Sequence, residues 1–234
     1  MGTELISIIN TKYCKPAPIN IKIETDKGVA YINNEVIFRI HEPSFSLDKD
    51  RRVIYDVSGN PVFTLSKKII SMHDRWRVFK GQSTNSSDLL FSAKRSTFLI
   101  PEKKNIDLNV YLAKNTKESV WDFKVCAGAE KRSCDICAHG SSTLLAKMTK
   151  NKEAFEVEVQ PNVDYGFIVA LLTIVDEIKH IESSSTTNYN DEVKAADTIA
   201  GAALNAISVG ANTYNNNNII TTLDDDTNGE SDDW

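Results

Sequence analysis

The stretch Pro161–Ile178, PNVDYGFIVALLTIVDEI, decides how the rest of the chain must be arranged. Between Asp164 and Asp176 it carries no charge. Tyr165, Phe167, Ile168, Val169, Leu171, Leu172, Ile174 and Val175 fall on every side of a helix of period 3.6. A helix without a polar face has nothing to turn to water, so it must be enclosed. Asn162 is placed to cap its N-terminus. Asp164 falls in the first turn, where the helix dipole favours a negative charge. A bilayer span needs about 20 mostly apolar residues, and the uncharged run is only about half of that. Enclosure in a protein core is therefore expected, ahead of a membrane span or a surface helix.

The enclosing material is written upstream as short alternating runs. Residues 28–41 read as a hairpin turning at Asn33-Asn34, with Val36, Phe38 and Ile40 on one face of its second arm. Arg52–Val57 and Val62–Ser66 flank the tight turn Ser58-Gly59-Asn60-Pro61. Lys68–His73, Arg75–Lys80 and Leu89–Lys94 are further candidates. Ile106–Leu112 alternates with Ile106, Leu108, Val110 and Leu112 inward and Asp107, Asn109 and Tyr111 outward. Trp121, Phe123 and Val125 share the inward face of the next strand. Ser133–Ala138 and Thr143–Thr149 form a hairpin around His139-Gly140-Ser141, and Phe155–Val159 ends the series. That is about a dozen strands spaced roughly 8–12 residues apart, the pattern of an all-β sandwich or barrel. Closed into a barrel, the strands line a greasy lumen that a helix of about 10 Å diameter fills. Closure also removes edges that invite aggregation.

The 234 residues carry 27 Lys plus Arg, 32 Asp plus Glu and a net charge of −5. Six acids, Asp224, Asp225, Asp226, Glu230, Asp232 and Asp233, lie at the C-terminal end. Removing those six charges from −5 leaves the rest of the chain at +1. So near-neutral a body gives no general attraction to nucleic acid, and no DNA-reading motif is found. The opening MGTELISIIN has neither a basic segment nor a long apolar one, so no secretory signal is read there. The four cysteines, Cys14, Cys126, Cys134 and Cys137, are then expected as thiols in a reducing cytoplasm. Ile6 breaks a myristoylation pattern, and Asn85-Ser86-Ser87 reads as a polar turn. Residues 1–27, with Pro16 and Pro18, read as an irregular N-terminal extension. Residues 28–180 read as the barrel domain, with the helix at 163–178. Residues 181–234 read as a low-complexity, disordered acidic tail.

Four stretches, in order, resemble the plant LURP-one-related family. Asp56-Val57-Ser58-Gly59-Asn60-Pro61-Val62-Phe63-Thr64-Leu65 is similar to its DxxGNPxxTL turn. Ser71-Met72-His73-Asp74-Arg75-Trp76 resembles its SLHDRW segment, with Met72 in place of Leu. Phe91-Ser92-Ala93-Lys94-Arg95-Ser96 resembles FSxKRS. Asn162 through Ile178 resembles its closing helix, with Gly166 where Ala is usual. The resemblance covers about residues 10–180. It implies the tubby-like fold shared with the phospholipid scramblases, a closed twelve-stranded antiparallel barrel around a central hydrophobic helix. It further implies a non-enzymatic, defence-linked binding module without cofactors. Such a module docks on anionic phospholipid, phosphoinositide above all, or on protein partners. It works in the cytoplasm, peripherally at the plasma membrane, or in the nucleus. A scramblase-like, lipid-handling protein is the alternative. No catalytic residue is implied.

Phosphoinositide headgroups need a few Lys and Arg converging on phosphate. Lys67, Lys68, Arg75, Arg77, Lys94 and Arg95 are the candidates, within a wider set that includes Lys80, Lys103-Lys104 and Lys131-Arg132. The competing reading is an ordinary solvated barrel exterior. Cys134-Asp135-Ile136-Cys137, with Cys126 and His139 nearby, has the look of a metal or redox motif. On a strand, however, period 2 turns Cys134 inward and Cys137 outward, so the two cannot close on one ion without a bulge. No metal is expected there. His73-Asp74 lacks a placed nucleophile, and Trp76 reads as core or rim packing.

Overall fold

The computed structural model describes residues 4–41, 50–68, 75–96, 106–128, 133–140, 143–151 and 154–178. The uncharged stretch is helical over residues 165–178 (α1), and every residue of α1 except Glu177 is buried. Phe167, Ile168, Val169, Leu171, Ile174 and Val175 are 0% exposed, and they point in all directions around the axis. Around α1 run β1 (Ile19–Glu24), β2 (Val29–Ile32), β3 (Glu35–His41), β4 (Arg51–Asp56), β5 (Pro61–Lys67) and β6 (Arg75–Lys80). The wall continues with β7 (Leu89–Arg95), β8 (Ile106–Leu112), β9 (Phe123–Ala127), β10 (Ser133–Ala138), β11 (Leu144–Lys150) and β12 (Phe155–Val159). Each strand pairs antiparallel with its neighbours in sequence, and β1 pairs with β12 to close the barrel.

Alternation decides which side chains meet α1. Ile54, Phe63, Leu65, Val78, Phe91, Ile106, Leu108, Val110, Val125 and Val159 face the lumen and are fully buried. Phe91 and Phe123 each bring a ring to 5.0 Å from that of Phe167. The expected hairpin is present, with its turn at Asn33-Asn34, both of positive φ (51° and 67°).

The N-terminal boundary differs from the sequence reading. Residues 1–27 do not all lie outside the wall, because Ile19–Glu24 is its closing strand. Ile21 and Ile23 alternate with Asn20 and Lys22, a period-2 signal that the prolines at 16 and 18 overshadow. Of the candidate strand Lys68–His73, all but Lys68 lies outside the described residues. β5 and β6 pair directly, with Lys67 opposite Trp76. Trp121 precedes β9 instead of opening it, and stands edge-on to His139 at 4.6 Å. The barrel belongs to a unit spanning Met1–Lys179. The tail read as residues 181–234 lies outside the described residues.

The segment before β1 straps the end of the barrel where α1 begins. Ile6 N–H donates to the Asn162 carbonyl (2.9 Å), and Asp164 N–H donates to the Ile6 carbonyl (2.9 Å). Asp164, 0% exposed, accepts at Oδ2 from the backbone N–H groups of Ile8 (3.0 Å), Ile9 (2.6 Å) and Asn10 (3.0 Å). Its Oδ1 accepts from Phe167 N–H at 3.2 Å. Asp164 is therefore the helix cap, the role assigned to Asn162 on sequence. Asn162 instead takes a left-handed φ of 63° and turns the chain into the helix. Burial pushes the Asp164 carboxyl above the usual carboxylate range, with the four N–H donors pulling the other way. Tyr13 completes the plug, its ring centred 5.2 Å from Phe38 and 5.1 Å from Tyr165. Gly166 permits this approach: a Cβ there would stand 3.1 Å from both Tyr13 Cδ2 and Asp164 Oδ1.

At the other end, Arg52 donates from Nε to Glu177 Oε1 (2.7 Å) and from Nη2 to Oε2 (3.1 Å). Lys150 Nζ lies 3.6 Å from Asp176. These cations also suit the negative end of the helix dipole. The charged groups at α1 are thus gathered at its two ends, and the Thr173 hydroxyl between them donates to the Val169 carbonyl at 2.9 Å.

Two outcomes are expected. Leu171→Ala should lower unfolding stability by about 2–5 kcal/mol. Leu171→Asp should prevent folding, since an unpaired charge in that position costs an amount comparable to a domain's whole stability. Thermal melts read both, and a soluble, cooperatively melting Leu171→Asp protein is incompatible with this core. Asp164→Ala strands four N–H donors and should cost at least about 2 kcal/mol. Hydrogen exchange at Ile8, Ile9 and Asn10 should accelerate well beyond that of the wall, and unchanged protection there would refute the clamp.

Candidate anion-binding rim

In an antiparallel wall the end of one strand and the start of the next share a rim. Lys67 ends β5 and Lys68 follows it, Arg75 opens β6, and Lys94 and Arg95 end β7, so these five meet at the rim where α1 terminates. Register brings them side by side: Arg75 pairs with Lys94, and Lys68 N–H donates to the Arg75 carbonyl at 2.8 Å. Parity then sorts them by face. Lys67 shares the inward side with its pair partner Trp76, and Arg95 shares it with Leu108. Arg75, Arg77 and Lys94 project from the outer wall. Lys68 is exposed, and the other five are half-buried.

The outer cations are not loose. Arg77 Cζ lies 5.3 Å from the Phe79 ring centre, and Lys94 Nζ lies 4.6 Å from that of Tyr111. Phe79 and Tyr111 are buried although the alternation turns them outward. The cationic side chains laid across them explain part of that cover.

The main partner comes from the segment joining β8 to β9. Glu118 accepts from both ends of the Arg75 guanidinium, Nη1 to Oε1 at 2.8 Å and Nη2 to Oε2 at 2.5 Å. It also accepts from Lys94 Nζ at 3.2 Å and from Ser92 Oγ at 3.4 Å. The two-pronged Arg geometry is the strong form of carboxylate recognition. Glu118 reaches this position with a φ of 46°, uncommon for a residue with a Cβ. Asn115 braces the turn: its Oδ1 accepts from Glu118 N–H (3.2 Å), and its Nδ2 donates to the Val120 carbonyl (2.8 Å) and to Asp122 Oδ2 (2.9 Å). Burial pushes the Glu118 carboxyl up, but the hydrogen bonds and charges of Arg75 and Lys94 outweigh it and leave the carboxyl below its ordinary value. Sequence reading missed Glu118, which sits between strands in no recognisable motif.

Other candidates resolve differently. Cys134 is buried in the lumen and Cys137 lies on the outer face, so the CxxC is split between the two sides of the wall. Burial raises the pKa of the Cys126 and Cys137 thiols, away from nucleophilic reactivity. Among the described residues, no three His, Cys, Asp or Glu side chains are grouped to hold a metal ion. An outer groove of about 510 Å³ crosses β2, β1, β12 and β11, but Lys22 and Lys147 there are matched by Glu156 and Glu158. It has no preference for an anion. Lys103-Lys104 and Lys131-Arg132 lie outside the described residues.

Residues 22–176 match the family model described as LURP-one-related. The chain belongs to the LURP-one-related family. Relatives in Arabidopsis thaliana include Protein LURP-one-related 15, 39% identical over 73% of this chain and 85% of that protein. Protein LURP-one-related 10 is 34% identical over 76% of this chain and 99% of that protein. Protein LURP1 is 36% identical, covering 74% of this chain and 89% of that protein. A crystal structure of an Arabidopsis thaliana protein superposes with a TM-score of 0.62 at 37% identity, covering 74% of this chain and 98% of that one. LURP-one-related membership and the closed twelve-strand barrel agree with the sequence reading.

A carboxyl with a lowered folded pKa adds stability above its unfolded pKa, about 4.3 for Glu, and loses it as pH falls through the folded value. Glu118→Gln should therefore melt below wild type at pH 7, by the equivalent of up to about 1 kcal/mol. The gap should close as the pH is lowered below about 4. Melting curves of both proteins from pH 3 to pH 7, on the order of half-unit steps, read this; a gap that does not change with pH rules out an ionised Glu118 as the rim's partner.

Proposed function

We propose that the protein is a non-enzymatic docking module of plant defence signalling that binds anionic phospholipid headgroups, phosphoinositides foremost, through the rim formed by β5, β6 and β7. The observation that carries this reading is the meeting of Lys67, Lys68, Arg75, Lys94 and Arg95 on three neighbouring strands, with Arg77 one step down the same wall. Without its acidic end the chain is near neutral with these cations included, so this is a local concentration of charge. Basic residues near an anionic membrane surface contribute about 1 kcal/mol each. With Glu118 offsetting one of them, the cluster still supports peripheral, reversible attachment. Family membership supports the non-enzymatic part of the reading, as does a lumen occupied by α1. A scramblase-like action finds less support, since no described helix is long and apolar enough to cross a membrane.

Flotation with phosphatidylcholine vesicles, with and without phosphoinositide, tests the proposal. Binding should need the phosphoinositide and weaken between low and physiological salt as charges are screened. Replacing Lys67, Lys68 and Arg95 together by Gln should cost on the order of a hundredfold in affinity, from about 1 kcal/mol for each charge. Flotation indifferent to salt and to that triple change removes the rim from the account. Transfer of labelled lipid between leaflets would instead favour the scramblase-like reading.

A further inference from the structure

Arg75 and Lys94 already hold an anion, and the chain itself supplies it. The Glu118 carboxylate takes both prongs of the Arg75 guanidinium, the Lys94 ammonium and the Ser92 hydroxyl. These are the donors that a bound phosphate would use: a planar fork, a point charge and a neutral O–H. Glu118 comes from a connection between strands, held in a left-handed backbone conformation and tied down by Asn115. Its backbone conformation carries a cost that its contacts with the wall offset.

We propose that Glu118 is a built-in competitor that occupies the Arg75–Lys94–Ser92 site until a phosphate monoester displaces it, so that the rim binds such headgroups more weakly than its bare cations would. This inference rests on the docking reading above and adds what holds the site before its ligand arrives. Two cations against one carboxylate leave the occupied site at +1. A phosphodiester carries one negative charge, so exchanging Glu118 for it gains no Coulomb energy while uncovering a carboxylate. A phosphomonoester carries about −1.5 to −2 charges and three terminal oxygens. It can therefore satisfy Arg75, Lys94 and Ser92 at once and repay the displacement. Without Glu118 the same pocket is +2 and holds either class more tightly by the same factor, the cost of displacing the carboxylate.

The test compares the full chain with Glu118→Gln and with Glu118→Gln/Arg75→Gln, after melts establish that all three fold. Vesicles containing phosphatidylserine are set against vesicles of equal surface charge containing phosphatidylinositol 4-phosphate. Wild type should prefer the phosphomonoester lipid. Glu118→Gln should bind both kinds of vesicle roughly fivefold more tightly than wild type, the equivalent of a partly exposed ion pair, with the preference between them kept. The double variant should lose that gain. Equal affinities of wild type and Glu118→Gln for the phosphatidylinositol 4-phosphate vesicles overturn the competitor while leaving rim docking intact. If wild type floats with neither vesicle, the docking reading fails. The competitor then stands or falls on calorimetric titration with soluble inositol hexakisphosphate, which Glu118→Gln should bind roughly fivefold more tightly. Equal affinities, or no binding by either, overturn it.

Discussion

The whole architecture depends on keeping water from a helix that has no side to show it. From Tyr165 to Val175 there is no charge, and every one of those residues is buried. A single flat sheet covers one face of a helix and leaves the other wet. Only a wall that returns on itself covers all of them, and twelve strands pairing β1 with β12 provide it. The same closure satisfies the backbone of every strand on both sides. Among the described residues, charge enters the interior at the two ends, and along α1 the buried Thr173 hydroxyl donates to the Val169 carbonyl. Asp164 gathers the N-terminal strap and the first turn of the helix onto one carboxylate. Arg52 with Glu177 and Lys150 with Asp176 finish the other end.

Much of this was legible in the residues. An apolar stretch without a wet face and a run of period-2 strands admit few arrangements, and the helix and eleven of the strands lie close to where alternation puts them. The missing strand, Ile19–Glu24, has the alternation too, but its pairing partner Phe155–Val159 lies far along the chain. Local turn chemistry announces hairpins; nothing local announces a closing seam. The cap was misassigned for a related reason. Asn162 and Asp164 are both good capping residues, and the choice is made by Ile8, Ile9 and Asn10, whose N–H groups arrive from more than 150 positions away.

The rim shows a similar division. Sequence supplied the cations, and strand parity correctly foresaw that Arg75 and Arg77 share a face. It could not supply Glu118, because a carboxylate between strands has no period to betray where it folds back. With Glu118 in place, the basic cluster is a set of paired charges more than a bare positive surface. Arg77 and Lys94 lie over aromatic rings, and Arg75 is held at both prongs. The geometry of such a surface is fixed by the chain's own contacts.

The position of α1 at the far end of the described chain has a consequence for biosynthesis. A ribosome adding about 5–20 residues per second takes roughly ten to thirty seconds to reach the helix after starting the strap. Throughout that time the strands have a lining and nothing to line. Neither the seam between β1 and β12 nor the carboxylate that anchors the strap exists until the last stretch emerges. The nascent chain must therefore wait with its most adhesive surfaces uncovered, and folding completes only after nearly all of the barrel has been made.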